Sequence, residues 1–154
     1  MAKSVLTQIV PGQRINFQRL DGTNANYVAV ANGGTFNINA GGTPLRLSYT
    51  PPVDVWWDVH ACLGIVYKTD AVYDYMYAYY QMAVADLLGI TQVFQILTQR
   101  SDVNTFGYRD MRRKFMLAAG IAYTCTVMCS CSGANWQYYQ DNARCFIEGT
   151  AYAR

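Results

Sequence analysis

The stretch from Val53 to Lys68 alternates between an apolar face and a mixed face, and this pattern restricts the fold more than any other feature. Its odd-numbered positions are all aliphatic or aromatic: Val53, Val55, Trp57, Val59, Ala61, Leu63, Ile65 and Tyr67. Successive side chains of a β-strand point to opposite faces, so a period of two predicts a long strand whose odd face lies in the core.

Shorter alternating runs separated by turn residues cover most of the remaining chain. Glycine pairs at 33–34 and 41–42 supply the positive-φ positions of tight hairpins, and Pro51-Pro52 indicates a corner or a sheet edge. Residues 83–88 are the ambiguous patch, where the composition also fits a helical turn. We expect eight to ten strands and no clear helix, in an all-β sandwich of two antiparallel sheets, most simply a jelly roll.

The chain of 154 residues has the size of one domain and contains no linker composition that would divide it. Residues 1–12 end at Pro11-Gly12 and are predicted to form a short extended N-terminal arm. Residues 13–154 are predicted to form a single β-sandwich domain.

Composition excludes several other classes of protein. With 52% hydrophobic and 14% charged residues, the chain resembles neither a disordered protein nor a coiled coil. A net charge of +2 is too small for nucleic-acid binding driven by counterion release. Residues 115–140 carry no charge, but threonine, serine, glycine and asparagine interrupt them, so we expect no membrane span. We also expect no signal peptide at the N-terminus.

The residues that could support catalysis or metal binding are few. The chain has five cysteines and one histidine, and we expect the cysteines to be small buried side chains, with no metal and no cofactor. Asp58, His60 and Cys62 share the even face of the long strand and are the single candidate for a nucleophilic site. Side chains on one strand point in parallel and do not converge, so we predict that the protein is not an enzyme.

Four tyrosines alternate along the next predicted strand and form a stripe: Tyr73, Tyr75, Tyr77 and Tyr79. The opposite face of the same segment, with Met76 and Ala78, suits the core. Two interpretations of the stripe stay open. It is either a second buried face of a central strand or a subunit interface, where tyrosine rings are buried and their hydroxyls stay hydrogen-bonded.

A basic cluster lies on a later predicted strand, at Arg109, Arg112, Arg113 and Lys114. Alternation divides it between two faces, with Arg112 and Lys114 on one and Arg109 and Arg113 on the other. The cluster is interpreted either as solvated or salt-bridged strand residues or as a contact with an acidic partner surface.

Two segments resemble small tailed-bacteriophage virion proteins with a tumour-necrosis-factor-like or C1q-like jelly roll. The first, residues 50–73, leads into the tyrosine stripe, and the second, residues 112–124, leads through residues 136–139 to the last strand. Within the second, Phe115, Leu117, Gly120 and Tyr123 are similar to the late hairpin of those trimeric jelly rolls. The resemblance covers about residues 45–154. The N-terminal third and the five cysteines match no pattern of the family.

The resemblance implies a structural virion protein, a homotrimer that decorates or cements a bacteriophage capsid after assembly in the host cytoplasm. Its partners would be copies of itself and the major capsid protein, with no nucleic acid and no membrane. The short arm favours this role over a fibre, which needs a long stalk. The alternative is a fibre head or receptor-binding adhesion module, with a glycan site built from exposed tyrosines, Trp56 and Trp136.

Overall fold

The computed structural model describes residues 9–21, 26–29, 34–37, 39–40, 43–65, 67–68, 74–84, 96–100, 107–131, 136–140 and 145–154. These residues form fourteen β-strands and no helix. In chain order the strands are β1 (Arg14–Asp21), β2 (Asn26–Ala29), β3 (Gly34–Asn37), β4 (Asn39–Ala40), β5 (Thr43–Pro44), β6 (Arg46–Tyr49), β7 (Val55–Ile65), β8 (Tyr67–Lys68), β9 (Asp74–Val84), β10 (Ile96–Arg100), β11 (Gly107–Leu117), β12 (Tyr123–Cys131), β13 (Trp136–Gln140) and β14 (Phe146–Ala153).

Two antiparallel sheets form the body of the protein. The four-stranded sheet has the order β1-β14-β7-β11, so the first and last strands of the described chain are neighbours. The facing sheet has the order β10-β9-β12-β3, and β6 also pairs with β12. Smaller sheets join β2, β13 and β8, and β4 with β5. The predicted all-β sandwich is confirmed.

The hydrophobic core lies between the two main sheets. Strand β7 contributes its odd positions, as the alternation predicts: Val55, Trp57, Val59 and Ala61 are all at most 1% exposed. The facing sheet contributes Leu47, Ala78, Tyr80, Met82, Cys125 and Val127. The rings of Trp57 and Phe115 lie 6.5 Å apart between centroids, and that of Tyr80 lies 6.0 Å from Phe115, so aromatic side chains span the interior.

The backbone of Gly149 makes room for the largest side chain of the core. A Cβ atom on Gly149 would lie 2.5 Å from Nε1 of Trp57, which is closer than two such atoms can approach. Gly149 pairs with Val59 on the neighbouring strand, so the indole of Trp57 lies over the glycine of β14. Glycine at this position is therefore a requirement of close packing.

Pro51 and Gly12 lie in connections, as the sequence predicted, whereas Gly33, Gly41 and Gly42 of the two glycine pairs lie outside the described residues. Pro51 lies in the connection between β6 and β7, and its carbonyl accepts a hydrogen bond of 2.8 Å from the amide of Gly120. Gly120 has φ of 75° in the turn that joins β11 and β12. Gly12 has φ of 82°, and its amide donates to the carbonyl of Ala153 at 2.9 Å, which connects the end of the predicted arm to the last strand.

The strand count differs from the predicted eight to ten, because short segments form separate pairs in the smaller sheets. Ala83 and Val84, in the segment predicted as ambiguous, continue β9 as a strand. Residues 85–88 of that segment, and residues 1–8 of the predicted arm, lie outside the described residues.

Candidate interaction surfaces

The outer face of the four-stranded sheet exposes a cluster of large apolar side chains. Tyr152, Trp56 and Met116 lie side by side on β14, β7 and β11, because Trp56 is the register partner of both of the others. Phe17 of β1 lies on the same face, opposite Thr150. Their exposed fractions are 37% for Tyr152, 38% for Trp56, 59% for Met116 and 53% for Phe17. We call these four residues the apolar patch.

Two cations border the apolar patch at the indole ring of Trp56. Nζ of Lys114 lies 5.9 Å from the ring centroid, and Cζ of Arg154 lies 5.4 Å from it. Both distances are within the range at which a cation is attracted to the face of an aromatic ring. The patch thus combines an apolar centre with a positively charged border.

A polar cluster occupies the other end of the same outer face, centred on His60. Its Nδ1 lies 3.1 Å from Oε1 of Glu148, and its Nε2 lies 2.9 Å from Oδ1 of Asp110. His60 therefore links β7 to the strands on either side, β14 and β11.

Arg19 extends this cluster to the edge strand β1. Its guanidinium donates to Oδ1 of Asp21 at 2.7 Å and to Oε2 of Glu148 at 3.0 Å. The hydrogen bond with Asp21 is the main cause that raises the pKa of Arg19 above its ordinary value. The guanidinium also lies 4.0 Å from the ring centroid of Phe146, whose ring meets His60 edge-on at 5.0 Å.

The structure does not join Asp58, His60 and Cys62 into a nucleophilic site. The hydrogen bonds of His60 go to Glu148 and Asp110 on the neighbouring strands. Burial raises the pKa of the Cys62 thiol from 9.0 to about 11, and the charge of Asp110 adds to this shift. The thiolate is the reactive form of cysteine, so Cys62 is a poor nucleophile at neutral pH.

The tyrosine stripe lies partly within the described residues. Tyr73 lies outside them, and positions 75, 77 and 79 follow one another on the same face of β9. Tyr79 is half-buried, whereas Gln81 and Ala83 further along this face are exposed. Ala78, Tyr80 and Met82 on the opposite face are buried. Tyr79 therefore lies on the outer face of the facing sheet, and the role of the stripe as a subunit interface stays a prediction.

The basic cluster is divided between the two faces of β11. Arg112 and Lys114 are exposed on the outer face, opposite His60 and Asp58. Arg113 pairs with Val59, faces the interior side and is half-buried. Arg109 belongs to the same strand, opposite Leu63. Side-chain alternation thus places Arg112 and Lys114 where a partner can reach both.

The sequence did not indicate the partners of His60 or the members of the apolar patch. Glu148 is 88 residues and Asp110 is 50 residues from His60, so only the order of strands brings them together. Of the patch, the sequence singled out Trp56 alone, as part of a glycan site with Trp136. The structure places these two tryptophans in different sheets, on β7 and β13.

The described residues contain no cluster of three or more side chains that could hold a metal ion. The same part of the chain contains no helix long and apolar enough to cross a membrane. Cys62, Cys125 and Cys145 are buried, and burial raises the pKa of Cys125 strongly.

Comparison with known proteins identifies the fold. No protein-family model matches the chain, and no curated protein matches it. Among solved structures it is similar to the Eiger TNF from S. frugiperda, with a TM-score of 0.61 over 92% of this chain and 94% of that chain, at 13% sequence identity. At this identity the similarity establishes the architecture alone. The expected jelly roll of the tumour-necrosis-factor type is confirmed.

Proposed function

We propose that this protein is a structural virion protein, a jelly roll that associates with copies of itself as a homotrimer and decorates or cements a bacteriophage capsid. The single observation that carries the proposal is the apolar patch on a flat sheet face. Phe17, Trp56, Met116 and Tyr152 expose large apolar surfaces close together, and such clusters are typical of protein contact sites. The phage role rests on the resemblance of residues 45–154 to virion jelly rolls.

Self-association fits the mixture of groups on this face. Aromatic side chains and methionine are enriched in the centres of protein interfaces, and charged side chains lie at the rims. The patch has three aromatic members, and Lys114 and Arg154 lie at its border. The tyrosine stripe, of which Tyr79 is half-buried on β9, is the second predicted contact surface. A trimer that binds a capsid needs two such surfaces, one for its own copies and one for the shell.

No catalytic step is part of this proposal. The thiol of Cys62 has a raised pKa of about 11, and both nitrogens of His60 face carboxylates. Among the described residues, the contacts of His60 link β7 to the neighbouring strands β14 and β11.

The oligomeric state of variants tests the interface assignment. We expect the wild-type protein to sediment as a trimer, and Trp56→Asp and Met116→Asp to shift it to monomers, because each places a carboxylate in an apolar contact. Ala122→Asp puts the same charge on an exposed connection and serves as the control. Dissociation by Tyr77→Asp, with trimers retained by the two patch variants, would assign the interface to the tyrosine stripe. A monomeric wild-type protein would contradict self-association.

Binding to empty capsids tests the virion role separately. We expect the purified protein to co-sediment with capsids at hundreds of copies per particle, as a decoration lattice requires. A handful of copies per virion, together with binding to cell-surface glycans, would support the fibre-head or receptor-binding alternative. The exposed indole of Trp56 is the observation that favours that alternative, because sugar rings stack on such faces.

A further inference from the structure

Strand β11 forms one edge of the four-stranded sheet. It pairs with β7 along Gly107–Leu117, and no described strand pairs with its other side. An edge strand presents a row of backbone amides and carbonyls that can pair with another extended chain. This edge therefore offers a ready main-chain template.

A cavity of about 300 Å³ lies along this edge, between the two main sheets. Arg113, Phe115 and Leu117 line it from the inner face of β11, and Met82, Val84 and Tyr123 line it from the facing sheet. Lys114, Met116 and Trp56 line its outer side, so the cavity reaches both faces of this edge. A dry cavity of about 150 Å³ suffices for a benzene molecule. The space beside β11 is thus large enough for one or two apolar side chains from a strand placed next to it.

Positive charge lies on the outer side of the same edge, where Lys114 also borders the cavity. Arg112 and Lys114 are exposed on the outer face, and neither forms an ion pair with a described residue. Asp110, the nearest acidic residue on β11, is hydrogen-bonded to His60. A strand added to β11 would place alternate side chains beside these two cations and the remaining side chains toward the cavity.

We propose that the free edge of β11 binds an extended segment of a partner protein by β-strand addition, and that this segment alternates acidic and apolar residues. The acidic residues pair with Arg112 and Lys114, and the apolar residues enter the cavity. Main-chain hydrogen bonds supply affinity in this binding mode, and pockets for alternate side chains supply specificity. The proposal goes beyond the virion role and does not depend on it.

Two other occupants fit the edge less well. If β11 paired antiparallel with β11 of a second copy, residues 112–114 of one copy would lie near residues 112–114 of the other. Their like charges would repel across the strands. The N-terminal segment of the chain, Met1–Gln8, contains Lys3 and no acidic residue, so its charge does not complement the edge.

Fluorescence anisotropy with a labelled octapeptide of alternating Glu and Val tests the proposal. We expect the wild-type protein to bind it, and Arg112→Glu/Lys114→Glu to weaken binding at least about tenfold through like-charge contacts. Arg46→Glu, on an exposed position of β6, is the control and should leave binding unchanged. Two further peptides, one with the same residues in two blocks and one with Ser in place of Val, should bind at least about tenfold more weakly.

Hydrogen exchange distinguishes strand addition from simple charge attraction. Bound peptide should protect backbone amides within residues 113–117, and added salt should weaken binding without abolishing this protection. Any of three results would overturn the proposal. The block peptide binds as tightly as the alternating peptide, the double variant binds the alternating peptide as tightly as the wild-type protein does, or hydrogen exchange of these amides does not change when the peptide binds. Sedimentation of the same samples reports the oligomeric state, so a failure of peptide binding is separable from a failure of trimer formation.

Discussion

Adjacent residues of β7 have opposite environments, and this contrast determines the chemistry of each side chain. Trp57 is 1% exposed in the core, whereas Trp56 is 38% exposed on the outer face between two cations. A one-residue shift in register would exchange the two environments. The alternation of Val53–Lys68 was sufficient to assign both faces, because the apolar residues of one face are uninterrupted.

The Cys62 thiol makes stability depend on alkaline pH. Its pKa is raised from 9.0 to about 11 in the folded protein, so the folded state keeps this proton at pH values where the unfolded state has lost it. Because the folded state then binds more protons, the free energy of unfolding falls as pH rises from about 9 to about 11. Urea denaturation across this range measures the slope.

The Cys62→Ala variant should show a shallower decline of stability over the same pH range, because it removes one titrating group. Gln81→Ala, at an exposed position of β9 without a titrating group, serves as the control and should keep the wild-type slope. Parallel slopes for the wild-type protein and Cys62→Ala would contradict the assignment.

At the scale of elements, the strands were predictable and their neighbours were not. Alternation identified β7 and β9 as strands and assigned the inward faces that their described side chains have, because these faces are apolar. On β11 it identified the strand and divided the basic cluster, and the inward face there includes the half-buried Arg113. The polar cluster of His60 depends on the order β1-β14-β7-β11, which joins strands from the two ends and the middle of the chain. Local periodicity contains no information on such pairings. The short strands of the smaller sheets also escaped prediction, because two to four residues show no period.

Two tyrosines of the facing sheet, on β6 and β9, have buried hydroxyls. We expect removal of these two hydroxyls to change the free energy of unfolding in opposite directions. Tyr80 of β9 is fully buried, and its hydroxyl donates to the carbonyl of Met111 at 2.7 Å, which links the two main sheets. The hydroxyl of Tyr49, on β6, is buried without a hydrogen-bond partner among the described residues. Burial raises the pKa of both phenols.

Tyr80→Phe should lower the free energy of unfolding by about 1–3 kcal/mol, because it leaves the buried carbonyl of Met111 without that donor. Tyr49→Phe should leave stability unchanged or raise it by up to about 1 kcal/mol, because it removes an unsatisfied polar group from the core. Urea unfolding of the two variants measures the difference. Equal losses of unfolding free energy in the two variants would show that the hydrogen bond from Tyr80 to Met111 makes no specific contribution to stability.

At the scale of the whole molecule, the fold depends on joining the two ends of the chain. Strand β14 lies between β1 and β7 in the four-stranded sheet. The amide of Ala153 donates to the carbonyl of Gln13 at 2.9 Å, and the amide of Gly12 donates back to the carbonyl of Ala153 at the same distance. Removing β14 would therefore separate β1 from β7 and expose buried side chains of both sheets, including Trp57.

A truncation and a circular permutation together test whether the position of β14 in space, and not in sequence, determines folding. A chain ending at residue 145 should not fold, because the four-stranded sheet loses an interior strand. A permutant that begins at Ile121, joins Arg154 to Met1 and ends at Gly120 contains all strands, and its new ends lie in an exposed turn between β11 and β12. We expect it to keep the β-sheet circular dichroism spectrum and cooperative unfolding of the wild-type protein, with a modest loss of stability from the broken turn. A folded truncated chain would show that the four-stranded sheet does not require β14. An unfolded permutant with intact wild-type controls would show that the position of β14 in the sequence also determines folding.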